Sequence, residues 1–261
     1  MRVRWLGWAG VEVEAEDERV VIDPLEDAGA VFAALGKRAR ECSPPEVVAP
    51  LPGALAGMVT HLHRDHADAA ALQAALAPGA PMLEPSGYGG VGLEQLGIAQ
   101  ADHELQAADL QRHATAPWAT TRVGPFTLTA LPAVDGTGDP QVSWLVEAGG
   151  KRVLHLGDTM FHCWWWRIAE RFGAPDAVLA PINGARLNFP HRQPASPLPG
   201  VMEPEQAALA AELLRAEHLV PIHYGGYALD GVYEPVPDAL ERVAAASPRV
   251  IEVGLGETIA V

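Results

Sequence analysis

The run VTHLHRDHAD at positions 59–68 gathers His61, His63, Asp65 and His66 within six consecutive residues, in a chain that has 10 histidines among 261. Imidazole nitrogen and carboxylate oxygen are good ligands for zinc and for borderline ions such as Mn²⁺ or Fe²⁺. At an extended strand end, side chains two apart share a side, so His61 and His63 can reach one ion. Asp65 and His66 come after the turn and can face a second point nearby. The bland alternative is a polar loop with incidental histidines. The density of the run, directly after the apolar AGMVT at 56–60, favours a metal site. Two other strand ends offer further ligands. Asp158 in LHLGDTM follows a strand through Gly157, and His223 in LVPIHYGG ends another before Gly225 and Gly226. A polar residue closing an apolar strand beside glycine is where α/β folds commonly place chemistry.

These ligands need strands to carry them, and the pattern supplies strands. Segments 3–7, 10–16 and 19–23 read as short strands, 56–60 as a buried one, and 120–134, 141–148 and 151–157 as successive antiparallel strands with Gly149-Gly150 as a turn. Segments 176–182, 218–223, 250–253 and 257–261 complete the strands. Helices are expected at 27–40, 67–77, 163–172, 204–217 and 238–246, the fourth opened by Pro204. Segments 43–52 and 189–200 are proline-bearing loops. No linker is long enough to divide the chain, so a single domain over 1–261 with two packed sheets and outer helices is expected.

Composition narrows the function classes. The formal net charge is −15, from 33 acidic and 18 basic residues. Such a field repels phosphate backbones, and no Lys/Arg cluster offsets it, so nucleic acid is not an expected partner. A small anionic substrate stays open, because bound metal ions reverse the local potential. No apolar run approaches the ~20 residues that cross a bilayer, so neither a membrane nor a signal peptide is expected and the cytoplasm is the expected location. Cys42 and Cys163 form no CxxC pair and read as free thiols.

THLHRDH at 60–66, LGDT at 156–159, PIHYGG at 221–226 and the early IDP at 22–24 together resemble the metallo-β-lactamase superfamily. Within it, GDT, DAVLAPING at 176–184, MEPEQAA at 202–208 and PIHYGG resemble the branch of ascorbate-6-phosphate lactonase and related uncharacterised metal-dependent hydrolases. The resemblance spans essentially the whole chain. It implies an α/β (α+β) four-layer αββα sandwich with two divalent ions, zinc first, with manganese or iron as alternatives, in the cleft between the sheets. It gives His61 and His63 to the first ion and Asp65, His66 and His223 to the second, with Asp158 bridging. Where the family has a third histidine for the first ion, this chain has Asp135. A carboxylate there either ligates and favours harder ions, or is only a turn residue before Gly136.

The expected activity is hydrolysis of a small molecule (a lactone, ester or phosphoester) by a metal-activated hydroxide, with Asp65 as both ligand and catalytic acceptor of the nucleophile's proton. G-x-S-x-G is absent, and no serine or cysteine nucleophile is required. A phosphodiesterase on nucleic acid or phospholipid, a di-iron redox protein and a non-catalytic relative are the competing readings. Asn183, His191, Arg192 and Tyr224 lie in loops on the expected active-site side. Asn183, His191 and Tyr224 are the substrate-binding candidates, against ordinary loop polarity. His155 reads as either a group behind the ligands or a satisfied strand histidine. His162 and the run Trp164–Trp166 have no assigned role, with core the default for at least two of the tryptophans. The resemblance is to a branch whose members often self-associate, so a homo-oligomer is an open expectation.

Overall fold

The computed structural model describes residues 1–33, 44–88 and 92–261. Elements are numbered in chain order. β1 (Arg2–Gly7), β2 (Gly10–Ala15) and β3 (Glu18–Ile22) form an antiparallel meander. β4 (Ala56–Met58), β5 (Pro81–Pro85) and β6 (Gln111–Thr115) extend it in parallel, and the C-terminal β15 (Thr258–Ala260) pairs with β1 at the other edge. The second sheet runs from β7 (Thr120–Val123) through β8 (Phe126–Pro132), β9 (Val142–Ala148), β10 (Lys151–His155) and β11 (Ala177–Pro181) to β13 (His218–Ile222). Its first half is antiparallel and its second half parallel. A separate ribbon pairs β12 (Arg186–Leu187) with β14 (Tyr233–Glu234).

Period-two alternation makes the second sheet two-faced. Trp144 and Val146 of β9 enter the core between the sheets with Leu128, Val153, Leu179 and Val220, facing Val11, Val13, Ile22 and Met58 of the first sheet. Their neighbours Leu145, Leu154, Val178 and Leu219 point the other way, onto α4 (Trp165–Phe172), α5 (Pro204–Leu213) and α6 (Ala239–Ala246). Each such Val or Leu, fully buried, contributes about 1.5–3 kcal/mol. On the outer side of the first sheet, Val59 and Met82 pack on Leu72 of α2 (Ala69–Ala75) and on Ala101 and Leu105 of α3 (Gly92–Ala107). The layers are therefore helix, sheet, sheet, helix, as the sequence implies.

Local signals behave as expected where they are strong. Asp68 caps α2 by accepting from the backbone of Ala70 and Ala71, and Pro204 opens α5, where Gln206 accepts from the Glu203 amide. α5 stops at Leu213, short of 217, because Arg215 takes a left-handed φ of 59°. Residues 250–253 are not a strand: flanked by Pro248 and Gly254, Val250 makes one isolated bridge to Leu219. The helix expected over 27–40 is seen as α1 (Ala28–Ala33), and the rest of that segment, with Cys42, lies outside the described residues. Cys163 is a free, exposed thiol. Among the described residues no helix is long and apolar enough to cross a membrane.

Candidate metal centre

One end of the sandwich collects chain turns from both sheets. Trp8 follows β1, Asp23 follows β3, the 60–66 run follows β4, Asp135 follows β8, Asp158 follows β10 and His223 follows β13. β4 ends at Met58, two residues earlier than expected, so His61 and His63 sit in a bridge and a bend rather than on a strand. Their rings meet edge to face at 4.3 Å all the same. Gly157 allows the convergence: at φ +66°, a Cβ there would lie 2.8 Å from Thr60 Cβ.

Two clusters result. Asp65, His66, Asp158 and His223 each offer a ligand atom within 4.8 Å of the others, and so do His61, His63 and Asp135. In the first-named cluster, His66 Nε2 is 3.2 Å from Asp158 Oδ1 and His223 Nε2 is 3.0 Å from Asp158 Oδ2. Asp65 Oδ2 is 3.6 and 3.7 Å from the same two nitrogens. Despite this closeness, the Nε2 atoms of His61, His66 and His223 and Asp158 Oδ1 are buried and make no hydrogen bond of proper geometry. Buried polar atoms are nearly always satisfied. Three unpartnered imidazole nitrogens aimed at carboxylates are what a divalent cation would satisfy, so the donor set fits a metal.

The atoms behind these candidate ligands are in place. Asp23, fully buried, accepts from the Thr60 amide at 2.7 Å and from Thr60 Oγ1 at 2.6 Å, and lies 2.8 Å from His66 Nδ1. A carboxylate there fixes the ring with Nε2 forward. Trp8 Nε1 donates to Asp65 Oδ2 at 3.0 Å, the Trp8 ring packs 3.9 Å from that of His223, and Trp8 O accepts from the His223 amide. Asn183 lies 3.0 Å from His223 Nδ1 and donates to Tyr233 Oη at 2.7 Å. His155 Nε2 donates to Ala9 O at 2.8 Å, so it braces the Trp8 turn from beneath.

Charge is shared unequally. Burial, then His66 and His63, drive His61 well below the usual 6.5. Burial opposes the charge on His66 too, but Asp158, Asp65 and Asp23 win and hold it well above 6.5. His223 is likewise raised against burial by Asp158 and Asp65. Burial would raise Asp158, yet His223 and His66 keep it well below 3.8, and His66 and His223 lower Asp65 against the same opposition.

The substrate-side candidates fall in different places. Asn183 is buried and engaged with His223, while Tyr224 stacks on Trp5 at 5.7 Å. Both line a cavity of about 620 Å³ whose charged wall residues are Asp238 and Glu241. His191 is exposed and stacks on Phe189. Arg192 instead reaches back to Asp139 and Thr137. His162 stacks on Trp165 at 3.7 Å, and burial lowers its pKa to about 4. Of the three tryptophans only Trp165 is fully buried, and Trp166 is 58% exposed. Sequence reasoning gave no role to Trp8, Thr60, Asp139 or Tyr233. Only Asp139, in the DGTGD run after Asp135, carried a visible signal: a second acid at the same strand end.

Residues 18–224 match the profile of the β-lactamase superfamily domain. The chain belongs to the metallo-β-lactamase superfamily. Among its superfamily relatives, a UPF0173 metal-dependent hydrolase of Thermus thermophilus is 32% identical over 235 residues, covering 87% of this chain and 85% of that protein. One from Methanopyrus kandleri is 28% identical over 237 residues, with the same coverage. Among solved structures, Igni18, a metallo hydrolase from Ignicoccus hospitalis, aligns with TM-score 0.63 and 20% identity over 99% of this chain and 97% of that one. The diiron β-hydroxylase CmlA of Streptomyces venezuelae aligns at 0.72 and 14% identity over 100% of this chain and 54% of that one. At such identities the structural likeness speaks for the metallo-β-lactamase fold alone.

Proposed function

We propose that this chain is a metal-dependent hydrolase of a small molecule, a lactone, ester or phosphoester, working at a two-ion site. The carrying observation is the set of buried, unpartnered Nε2 atoms of His61, His66 and His223 beside Asp65 and Asp158. The names of its curated relatives as metal-dependent hydrolases support the same reading. His61, His63 and Asp135 would hold one divalent ion, and Asp65, His66 and His223 the other, with Asp158 shared between them. Zinc suits the imidazoles, while Asp135 in place of a histidine moves the first position toward manganese or iron. Bound cations would lower the pKa of a water and draw charge from a carbonyl or phosphoryl oxygen.

The chain's own residues do the rest. Asp65, steadied by Trp8 Nε1, would accept the attacking water's proton and return it to the leaving group. Asp23 and Asn183 hold His66 and His223 in register. Tyr224, the residue after His223, would meet the substrate body. The test is a panel of lactones, sugar-phosphate esters and cyclic phosphodiesters, with and without chelator. Hydrolysis that a chelator abolishes and zinc or manganese restores is expected, and chelator-resistant hydrolysis would contradict the reading. The Asp135 carboxylate also suits iron, so purified protein carrying iron with visible absorption would move the assignment to di-iron redox chemistry.

A further inference from the structure

Asp139 lies four residues past Asp135, outside both ligand clusters, and is 2% exposed. His63 Nε2 is 2.9 Å from its Oδ2, Thr137 Oγ1 donates to that oxygen at 2.9 Å, and Arg192 Nη2 donates at 2.7 Å. Arg192 also donates to Thr137 O, tying the loop at 189–200 to the same turn. The approach is close: a Cβ on Gly136 would lie 2.2 Å from Gly200 Cα. The other oxygen, Asp139 Oδ1, is buried and has no hydrogen-bond partner. A carboxylate retained only for folding would satisfy both oxygens.

An ionised carboxylate only accepts, so His63 Nε2 must donate to Asp139, which leaves Nδ1 as the free lone pair of the neutral ring. His61 and His66 are arranged the other way round, with Nδ1 near Thr60 and Asp23 and Nε2 unpartnered. We infer that Asp139, clamped by Arg192, is the positioning residue of the first ion site, presenting His63 Nδ1 to the cation and coupling that site to the 189–200 loop. The inference rests on the two-ion reading above.

The test titrates metal-free full-length protein with Zn²⁺ and with Co²⁺, read by calorimetry and visible absorption. Wild type should bind two ions. Asp139→Asn keeps the side-chain volume, and its amide nitrogen can occupy the position of the unpartnered oxygen. It should weaken one binding event by roughly 10–100-fold, leave the other unchanged, and alter the Co²⁺ spectrum of the weakened site. Arg192→Gln should weaken the same event by less. Thermal unfolding of the metal-free variants reports folding, and if Asp139→Asn does not fold, the Arg192→Gln titration decides. Two ions in wild type with both events unchanged in the folded variants would overturn this inference alone. A wild type that binds no ion would overturn the two-ion reading and this inference together.

Discussion

His66 is held from behind by the fully buried Asp23, with its Nε2 left unpartnered, whereas His63 leans on Asp139, which depends in turn on Arg192 from a loop. The same contrast runs through the two clusters. Both clusters stand on turns from both sheets, and in the first His66 and His223 are wholly buried. In the other cluster His61 is wholly buried, the His63 side chain is as exposed as that of Asp65, and Asp135 Oδ2 already accepts from the Thr137 and Asp139 amides. The difference teaches that the candidate ligands of one cluster are backed by Asp23, Trp8 and Asn183, while His63 in the other depends on Asp139 and on Arg192 from the 189–200 loop. Sites built on rigid elements hold their geometry better than sites on loops.

The largest expected effect separates the clusters by chemistry. Asp65→Asn should lower kcat by about 10²–10⁴-fold on whatever substrate the panel identifies, because the proton acceptor is lost. Asp135→Asn should lower it less, and equal losses would break the comparison. Next comes the support behind the ligands. Asp23→Asn should weaken metal binding at the His66 cluster by roughly 10–100-fold and spare the His61 cluster, as read by titration. Loss at both clusters alike would mean that Asp23 serves the fold rather than His66.

A pH experiment sharpens the contrast further. His66 and His223 are raised above 6.5 and His61 is lowered below it. Near pH 7, ion binding at the His66 cluster should therefore release more protons than binding at the His61 cluster, where only His63 is raised. Calorimetry in buffers of different ionisation enthalpy measures this. For the metal-free protein the signs are opposite for the two residue types. The raised histidines contribute stability that is complete below 6.5 and lost as pH rises through their folded values. The lowered Asp158 and Asp65 contribute stability that is present above 3.8 and lost as pH falls. The lowered His61, His155 and His162 contribute stability that is complete above 6.5 and lost as pH falls through it, so maximum metal-free stability is expected near 6.5, and a maximum above pH 8 would contradict these directions. The smallest effect is Asp135→His. It should shift the first position toward zinc over manganese and cost about 1 kcal/mol for each amide bond that Asp135 now accepts.

The candidate ligands that the structure gathers into two clusters could be picked out in the sequence because most sit at a chain turn with a visible mark: the crowded 61–66 run, Gly157 before Asp158, the glycines after His223. The sheets were legible because alternation in segments such as 141–148 reports two buried faces. The region 80–119, holding β5, α3 and β6, was not read. Parallel strands as short as β5, with a proline at each end, carry little periodicity, and the α3 sequence is only weakly amphipathic. Trp8 and Tyr233 were illegible for another reason. Their places beside His223 and Asn183 arise from register between strands far apart in sequence, which a local pattern does not encode.

Elemental analysis of the purified, metal-loaded chain tests the central claim most directly. Two divalent ions per chain retained through dialysis, falling to one in His61→Ala, are the predicted result. A wild-type chain that retains no ion after loading would contradict it.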